Sequence, residues 1–314
     1  MTEMIPKIII HGGAINPDSG DFLGGIKSAI FEGIKILKTG GTALDAVTES
    51  LYILEQKPIF NAGIGAWPNL KGEVELDAII MDGKELKGGA IAAAKNIKSP
   101  IKLARKVMEE TDHILIVGSG AEELAKAFGL FELHKIPAER LKQWRDIKRN
   151  LKEGKDVPML NYWKKISKWA NIGDTIGAIA IDKDGSIAAG TSSGGFPMKL
   201  PGRVGDVPLI GCSTYADNNA GGVSITGHGE VVMTHLLAKK IVDLMRDGYS
   251  AKFATEWMVS YINELTRGNA LLAIIAIDKF GNLGSARNTD KTPHAYMDVK
   301  MSKPLFHFSK IIGI

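Results

Sequence analysis

The chain has 314 residues, 45% hydrophobic and 24% charged, enough to bury one large core or two ordinary ones. Its formal net charge is only +4, and no dense basic run interleaves with aromatics, which argues against a nucleic-acid partner. A single cysteine, Cys212, excludes an intramolecular disulfide and suits a reducing, cytoplasmic compartment; no apolar run reaches spanning length, so no membrane partner is expected.

In chain order, KIIIHGGA reads as a buried strand over Ile8–Ile10 that ends in a turn at Gly12 and Gly13. A helix over about 22–37 lines up Ile26, Ile30 and Leu37 and stops at Gly40 and Gly41. A second helix begins after the N-cap Thr42 and aligns Ala43, Val47, Leu51 and Leu54. ELDAIIMDG and GGAIAAAKN have strand length. SPIKLARKVMEET is a helix with Ser99 as cap and Pro100 at its first position. HILIVGSGAEELAKAFG is a strand, a turn and a helix. From about Glu132 to Asp174 the chain is rich in Lys, Arg and Glu; it could hold helical pieces but reads as a mobile connector. TIGAIAID and SIAAGTS then form a hairpin, GVSIT a strand, EVVMTHLLAKKIVDLMRDG and SAKFATEWMVSYINEL two helices, and LLAIIAIDKFGNLGSARN a second hairpin. Strands in hairpins argue for antiparallel sheets covered by helices.

Several chemistries can be weighed from the residues alone. ILIVGSGAEEL offers Gly118 and Gly120 before a helix, but Glu123 replaces the third glycine and would oppose a pyrophosphate. His228 and His235 flank Glu230 without metal-site spacing, and no G-x-S-x-G occurs. In GRVGD, Arg203 and Asp206 suit the two charged ends of an α-amino acid; a surface ion pair accounts for them equally well. In TGHGE, backbone N–H groups around Thr226 and Gly227 could face a developing oxyanion, or simply start a helix. Thr175, in NIGDTIGAIAID, opens a strand directly after the charged connector. Its hydroxyl is a weak nucleophile unless a base sits close by. Cutting the preceding peptide bond would free its own α-amine, with an ordinary pKa of about 7.7–8.0, to act as that base. A β-branched residue at a strand start needs no such role.

The blocks HGGA at His11, FNAGIGA at Phe60, ELDAIIMDG at Glu75, GDTIGAIAID, GTSSGG, LPGRVGD, YADNNA and TGHGE follow one another in order. With them, nearly the whole chain resembles the plant-type asparaginase and isoaspartyl peptidase family of N-terminal nucleophile hydrolases. The resemblance implies an α+β fold, a four-layer αββα sandwich, as one domain over 1–314. It implies a precursor cut between Asp174 and Thr175 by an N-to-O acyl shift, giving fragment 1–174 with a mobile tail from about 132, and fragment 175–314. Thr175 would be nucleophile and, through its α-amine, general base. Ser193 would be the supporting hydroxyl, with Thr191 beside it on the substrate side, and Asn61 would reach toward the nucleophile. Arg203 would hold the substrate α-carboxylate, Asp206 its α-amine, and Gly229 would line the amine site. Thr226 and the Gly227 N–H would form the oxyanion hole. Backbone carbonyls of Leu54, Glu55, Lys57, Phe60, Ala62 and Ile64 would wrap a structural sodium ion, with no cofactor needed for chemistry. The implied reaction is hydrolysis of L-asparagine, or of isoaspartyl dipeptides, through a Thr175 acyl-enzyme, in a homodimer of cleaved chains.

Three departures stand out: Ser193 where many relatives carry Thr, Ile15 where a further glycine is common, and RGNALLAIIAID in place of a glycine-rich run. Leu271 and Leu272 in that run are expected to reshape the wall near the leaving group. Two alternatives remain at this level. DTIG, AAGTS and YAD also resemble glycosylasparaginases, and an uncleaved, inactive amino-acid-binding relative would keep the same blocks.

Overall fold

The isoleucine-rich runs explain how the sheets stack. In β1 (Lys7–His11), Ile8 and Ile10 pack with one set of helices, while Ile9 packs with Ile179, Ile275 and Ile277. Apolar side chains on both faces of a strand call for cover on both sides, which is why the run does not alternate with polar residues. The computed structural model describes residues 4–13, 21–153, 175–289, 292–307 and 309–312.

Helices α1 (Phe22–Lys38) and α2 (Ala43–Glu55) follow β1, then a one-turn helix (Gly63–Gly65), β2 (Leu76–Asp82), β3 (Lys87–Ala94), α3 (Pro100–Glu110), β4 (Leu115–Val117) and α4 (Gly118–Ala127). Thr42 Oγ1 accepts from Asp45 N–H at 3.1 Å while the Asp45 carboxylate accepts from Thr42 N–H at 3.4 Å, a reciprocal cap that fixes the start of α2. Ser99 caps α3 in the expected way.

Part of the charged connector, where the sequence allows helical pieces, forms α5 (Ala138–Glu153). It docks through a few large side chains: Trp144 and Ile147 pack on Trp67 and Met198, and Trp144 Nε1 donates to Asn69 C=O at 2.9 Å. The Arg140 guanidinium stacks on Trp67 at 4.1 Å and donates to the Pro58 and Ile59 carbonyls. Residues 154–174, and with them Asp174, lie outside the described residues, as does Ile15.

The second half contributes β5 (Ile176–Ile181), β6 (Ile187–Ser193), β7 (Thr214–Asp217), β8 (Gly221–Gly227), α6 (Gly229–His235), α7 (Leu237–Arg246), α8 (Ala251–Thr266), β9 (Leu272–Asp278), β10 (Leu283–Arg287), β11 (His294–Asp298), β12 (Leu305–Phe306) and β13 (Lys310–Ile311). The expected single helix over 230–248 is two, broken where Leu236 takes a left-handed φ of 52°. One sheet runs β12-β11-β1-β5-β6-β2-β3-β4 and the other β13-β10-β9-β8-β7. Pairings are antiparallel except β3 with β4 and β10 with β13.

Ile26, Ile30, Val47, Leu51 and Ile101 gather with Ile8 and Ile10 in one core; Val223, Ile225, Ile241, Met258 and Ile274 form a second. Full burial of each such side chain contributes about 1.5–3 kcal/mol. The fold is therefore a mixed α+β arrangement of two sheets and packed helices.

Candidate active site

Thr175 stands just before β5, and Ser193 closes β6. The register pairs Ile176 with Ser192, so the two hydroxyls meet at one end of the sheet. Thr175 Oγ1 donates to Ser193 Oγ at 3.2 Å, and the Gly195 N–H donates to the same oxygen at 3.0 Å. Thr175 is 8% exposed, shielded from bulk water but reachable. Asn61 acts one step away: its Nδ2 donates to Gly195 C=O, its Oδ1 accepts from Trp67 N–H at 2.8 Å, and its carbonyl accepts from Gly194 N–H at 2.8 Å. It fixes the turn that carries the Ser193 partner rather than bonding to Thr175.

The second sheet packs over this end of β5. A Cβ on Gly222 would meet Ile179, and one on Gly177 would collide with Ser224 Oγ. The facing pairs therefore step from 179 and 222 to 177 and 224, a progression that runs toward Thr175 and Thr226. Ser224 and Thr226 share a strand face. The Gly227 N–H does not point into the β8–β9 ladder. Leu272, its cross-strand partner, turns both its backbone groups toward Asn288: its N–H donates to Asn288 Oδ1 at 2.6 Å, and its C=O accepts from Asn288 N–H at 3.1 Å. Gly227 and Leu272 thus form a non-hydrogen-bonded pair. The Gly227 N–H points to the side of β7, which pairs with β8 only from Ser224 back to Gly221.

Arg203 and Asp206, expected to hold the two charged ends of a substrate, also come together. A Cβ on Gly229 would lie 2.5 Å from Asp206 Oδ1 and 3.0 Å from Arg203 Nη2, so the missing side chain leaves a gap between the two charges. A Cβ on Gly195 would lie 3.4 Å from Arg203 Nη1, which ties this gap to the Ser193 turn. Arg203 stacks on Phe196 at 4.6 Å and donates to Glu230 Oε1 from Nη2 at 2.8 Å. Asp206 is buried, and its Oδ2 has no hydrogen-bond partner among the described residues. Burial pushes its carboxyl up to about 7; Arg203 opposes the rise, while Glu230 and Asp77 add to it. Lys199 is fully buried below the site and donates from Nζ to Glu75 C=O at 3.1 Å; burial lowers its pKa against the pull of Asp77 and Glu75. The roles of Phe196, Lys199 and Glu230 here were not read from the sequence. Glu230, one residue beyond Gly229, was weighed only as a neighbour of histidines.

Thr191 lies deeper. Its Oγ1 bonds to Thr214 Oγ1 and, at 3.2 Å, to Ser224 Oγ; Ser224 Oγ in turn bonds to His11 Nε2 at 2.9 Å. This buried polar chain joins the sheets beneath the nucleophile rather than entering the Arg203–Asp206 gap. Burial pushes the His11 imidazole down to about 3, with His294 adding to the fall and the Thr175 backbone opposing it, so His11 is neutral. Of the two leucines expected to shape the wall, Leu272 is buried in the helix-side core, and Leu271 is 41% exposed beside Gly227.

The 54–64 loop is wound tightly over its own carbonyls. Gly63 has φ +51°, and side chains at Gly63 and Gly65 would collide with the Glu55 and Phe60 carbonyl oxygens. Such inward oxygens suit a hard cation. The Lys57 carbonyl accepts from Phe60 N–H, and those of Leu54 and Ala62 accept from Lys57 and Gly65 N–H groups. The Glu55 side chain faces elsewhere: its carboxylate accepts from Ser99 Oγ at 2.7 Å, Ser192 Oγ at 2.7 Å and Ile101 N–H at 2.9 Å. Among the described residues, no group of three or more His, Cys, Asp or Glu side chains could hold a metal, and no helix is long and apolar enough to cross a membrane.

Comparison with known proteins gives the family. The chain is 42% identical to a plant-type L-asparaginase of Pyrococcus horikoshii, over 95% of this chain and 98% of that one. It is 42% identical to an isoaspartyl peptidase/L-asparaginase of Xenopus laevis, over 92% and 91% of the two chains. The human protein of that same description is 40% identical, over 89% of each chain. The asparaginase family pattern is matched from residue 4 to residue 306, and the chain belongs to that family.

Proposed function

We propose that this protein is a self-cleaving amidohydrolase that converts L-asparagine to L-aspartate and ammonia and cleaves the β-linked bond of isoaspartyl dipeptides. The observation that carries this reading is the placement of the Thr175–Ser193 hydroxyl pair one turn from the Arg203–Asp206–Gly229 gap. A gap flanked by a guanidinium and a carboxylate fits the α-carboxylate and α-ammonium of an amino acid, whose side-chain carbonyl then reaches Thr175. The descriptions of the relatives, L-asparaginase and isoaspartyl peptidase, name substrates of that shape.

Scission of the bond before Thr175 frees its α-amine. That amine takes the Oγ1 proton as Oγ1 attacks the substrate carbonyl carbon. Ser193 Oγ orients the attacking hydroxyl. Thr226 Oγ1 and the Gly227 N–H stabilise the tetrahedral oxyanion. The C–N bond breaks, and the leaving nitrogen departs with the proton held by the amine. Water then attacks the ester, its proton passing to the amine, and aspartate leaves as Oγ1 is reprotonated. Arg203 exchanges its Glu230 contact for the substrate carboxylate.

The same reading extends to the architecture. Ile9 facing the second sheet while Ile8 and Ile10 face helices supports a four-layer αββα sandwich. The carbonyls of Leu54, Glu55, Lys57, Phe60, Ala62 and Ile64 would hold a sodium ion that stiffens the loop carrying Asn61 and supplies no chemistry. The working form would be a cytoplasmic homodimer of cleaved chains, which a single, buried cysteine suits. The test is intact mass of denatured protein beside Thr175→Ala, with aspartate release measured from L-asparagine, β-aspartyl-leucine and β-aspartyl-N-acetylglucosamine. We expect two fragments, the second starting at Thr175, and one 33.8 kDa species in the variant. Persistent full-length mass in the unaltered protein would overturn the reading, and release from the sugar conjugate alone would move it to glycosylasparaginase.

A further inference from the structure

The end of β8 is closed in an unusual way. His228 follows Gly227 and precedes α6, and its carbonyl accepts from the Val231 and Val232 N–H groups at 3.0 Å each. That carbonyl is committed to the helix and cannot serve β9. The ladder still continues on its other half, because the His228 N–H donates to Leu271 C=O at 2.9 Å. This exchange leaves the Leu271 N–H without its strand partner. Instead it donates to His228 Nδ1 at 2.7 Å. The imidazole makes no cap to α6. It replaces the missing strand carbonyl.

The residue held between these two bonds and the β8 ladder is Gly227. It has φ +148°, and a side chain there would collide with Leu271 C=O. The Gly227 Cα therefore lies close against Leu271, and the 228–271 bridge fixes the chain on the helix side of Gly227. We propose that His228 is a positioning residue for hydrolysis, whose Nδ1 clamps Leu271 and thereby holds the Gly227 N–H in its oxyanion-binding direction. The proposal rests on the oxyanion role given to Gly227 above. It does not require the imidazole to touch substrate. It requires Nδ1 to be unprotonated, and burial does lower the His228 pKa, against the opposing pull of Glu230 and the Leu271 backbone.

The test compares His228→Ala, which removes the acceptor, with His228→Asn, whose side-chain oxygen reaches where Nδ1 lies. Rates with L-asparagine and β-aspartyl-leucine are normalised to the cleaved fraction found by mass. The expected result is kcat lowered about 10–100-fold in the alanine variant, less than the roughly 100–1000-fold for outright removal of an oxyanion donor because the N–H is misaligned and not lost, with KM within about twofold because Arg203 and Asp206 are untouched. The asparagine variant recovers most of kcat. Amide hydrogen exchange at Leu271 and Gly227 speeds up at least tenfold in His228→Ala alone, with the rest of β8 and β9 still protected. Unchanged kcat, a loss carried by KM, or an asparagine variant as poor as alanine would overturn the proposal. If the unaltered protein hydrolyses neither substrate, the reaction assignment fails, and exchange at Leu271 alone then decides whether the clamp exists.

Discussion

Replacing Asp206 with Asn should move stability and substrate affinity in opposite directions. The carboxyl is buried, has one oxygen without a partner, and titrates at about 7 rather than 3.8. At about 1.4 kcal/mol per unit, ionising it in the folded chain costs roughly 4 kcal/mol more than in the unfolded chain. Because the folded value lies above the unfolded one, the group is most favourable to folding below pH 3.8 and loses that contribution as pH rises toward 7. At pH 8 the whole penalty is present. Asn removes it but buries an NH₂ group, which returns about 1–3 kcal/mol if unsatisfied. The net expectation is a gain of about 1–3 kcal/mol at pH 8 that fades toward pH 4. Urea denaturation of Thr175→Ala chains, with and without Asp206→Asn, compares single-chain species at both pH values. Meanwhile the cleaved Asp206→Asn enzyme loses a charge-assisted bond to the substrate ammonium, worth about 1.5–3 kcal/mol. KM should rise about 10–100-fold, and the rise in KM of the unaltered enzyme below pH 7 should disappear. Equal stabilisation at pH 4 and pH 8, or an unchanged KM, would refute the placement of Asp206 as a carboxylate kept for the ligand.

Ser193→Ala removes the oxygen that accepts from both Thr175 Oγ1 and Gly195 N–H; kcat should fall about tenfold, while Ser193→Thr retains it, and equal kcat for all three in steady-state assays would contradict the orienting role. Glu55, fully buried with three donors, is pushed up to about 7 from 4.5, mostly by burial. Its contribution to stability is therefore full below pH 4.5 and lost as pH rises to 7. Glu55→Gln should flatten the decline between pH 5 and pH 8 by up to roughly 3 kcal/mol in denaturant titrations, and parallel curves would show that the site ionises without cost.

What the sequence conveyed depends on how local the physics is. The caps at Thr42 and Ser99 act within three residues, and both helices start where those residues stand. The uninterrupted apolar runs of β1 and β5 announce strands covered on both faces. The break at Leu236 was illegible because the apolar period of α6 carries on into α7, and a leucine at positive φ has no composition signal. The docking of α5 was hidden for a different reason. Its charged surface outweighs the few residues, Arg140, Trp144 and Ile147, that make its contacts.

The site divides along the same line. Arg203 and Asp206 share one loop, so their chemistry shows in five letters. That Arg203 is held by Glu230, 27 residues on, depends on β8 turning back over β5. The same return makes the imidazole after Gly227 a substitute for a strand carbonyl. In the string TGHGE that histidine is one polar letter among others. Its use is fixed by two facts the five letters do not show: α6 takes its carbonyl, and the N–H of Leu271, just before β9 begins, is left needing a partner. A residue whose role is set by what its neighbours leave unsatisfied is found by accounting for every backbone group in the fold.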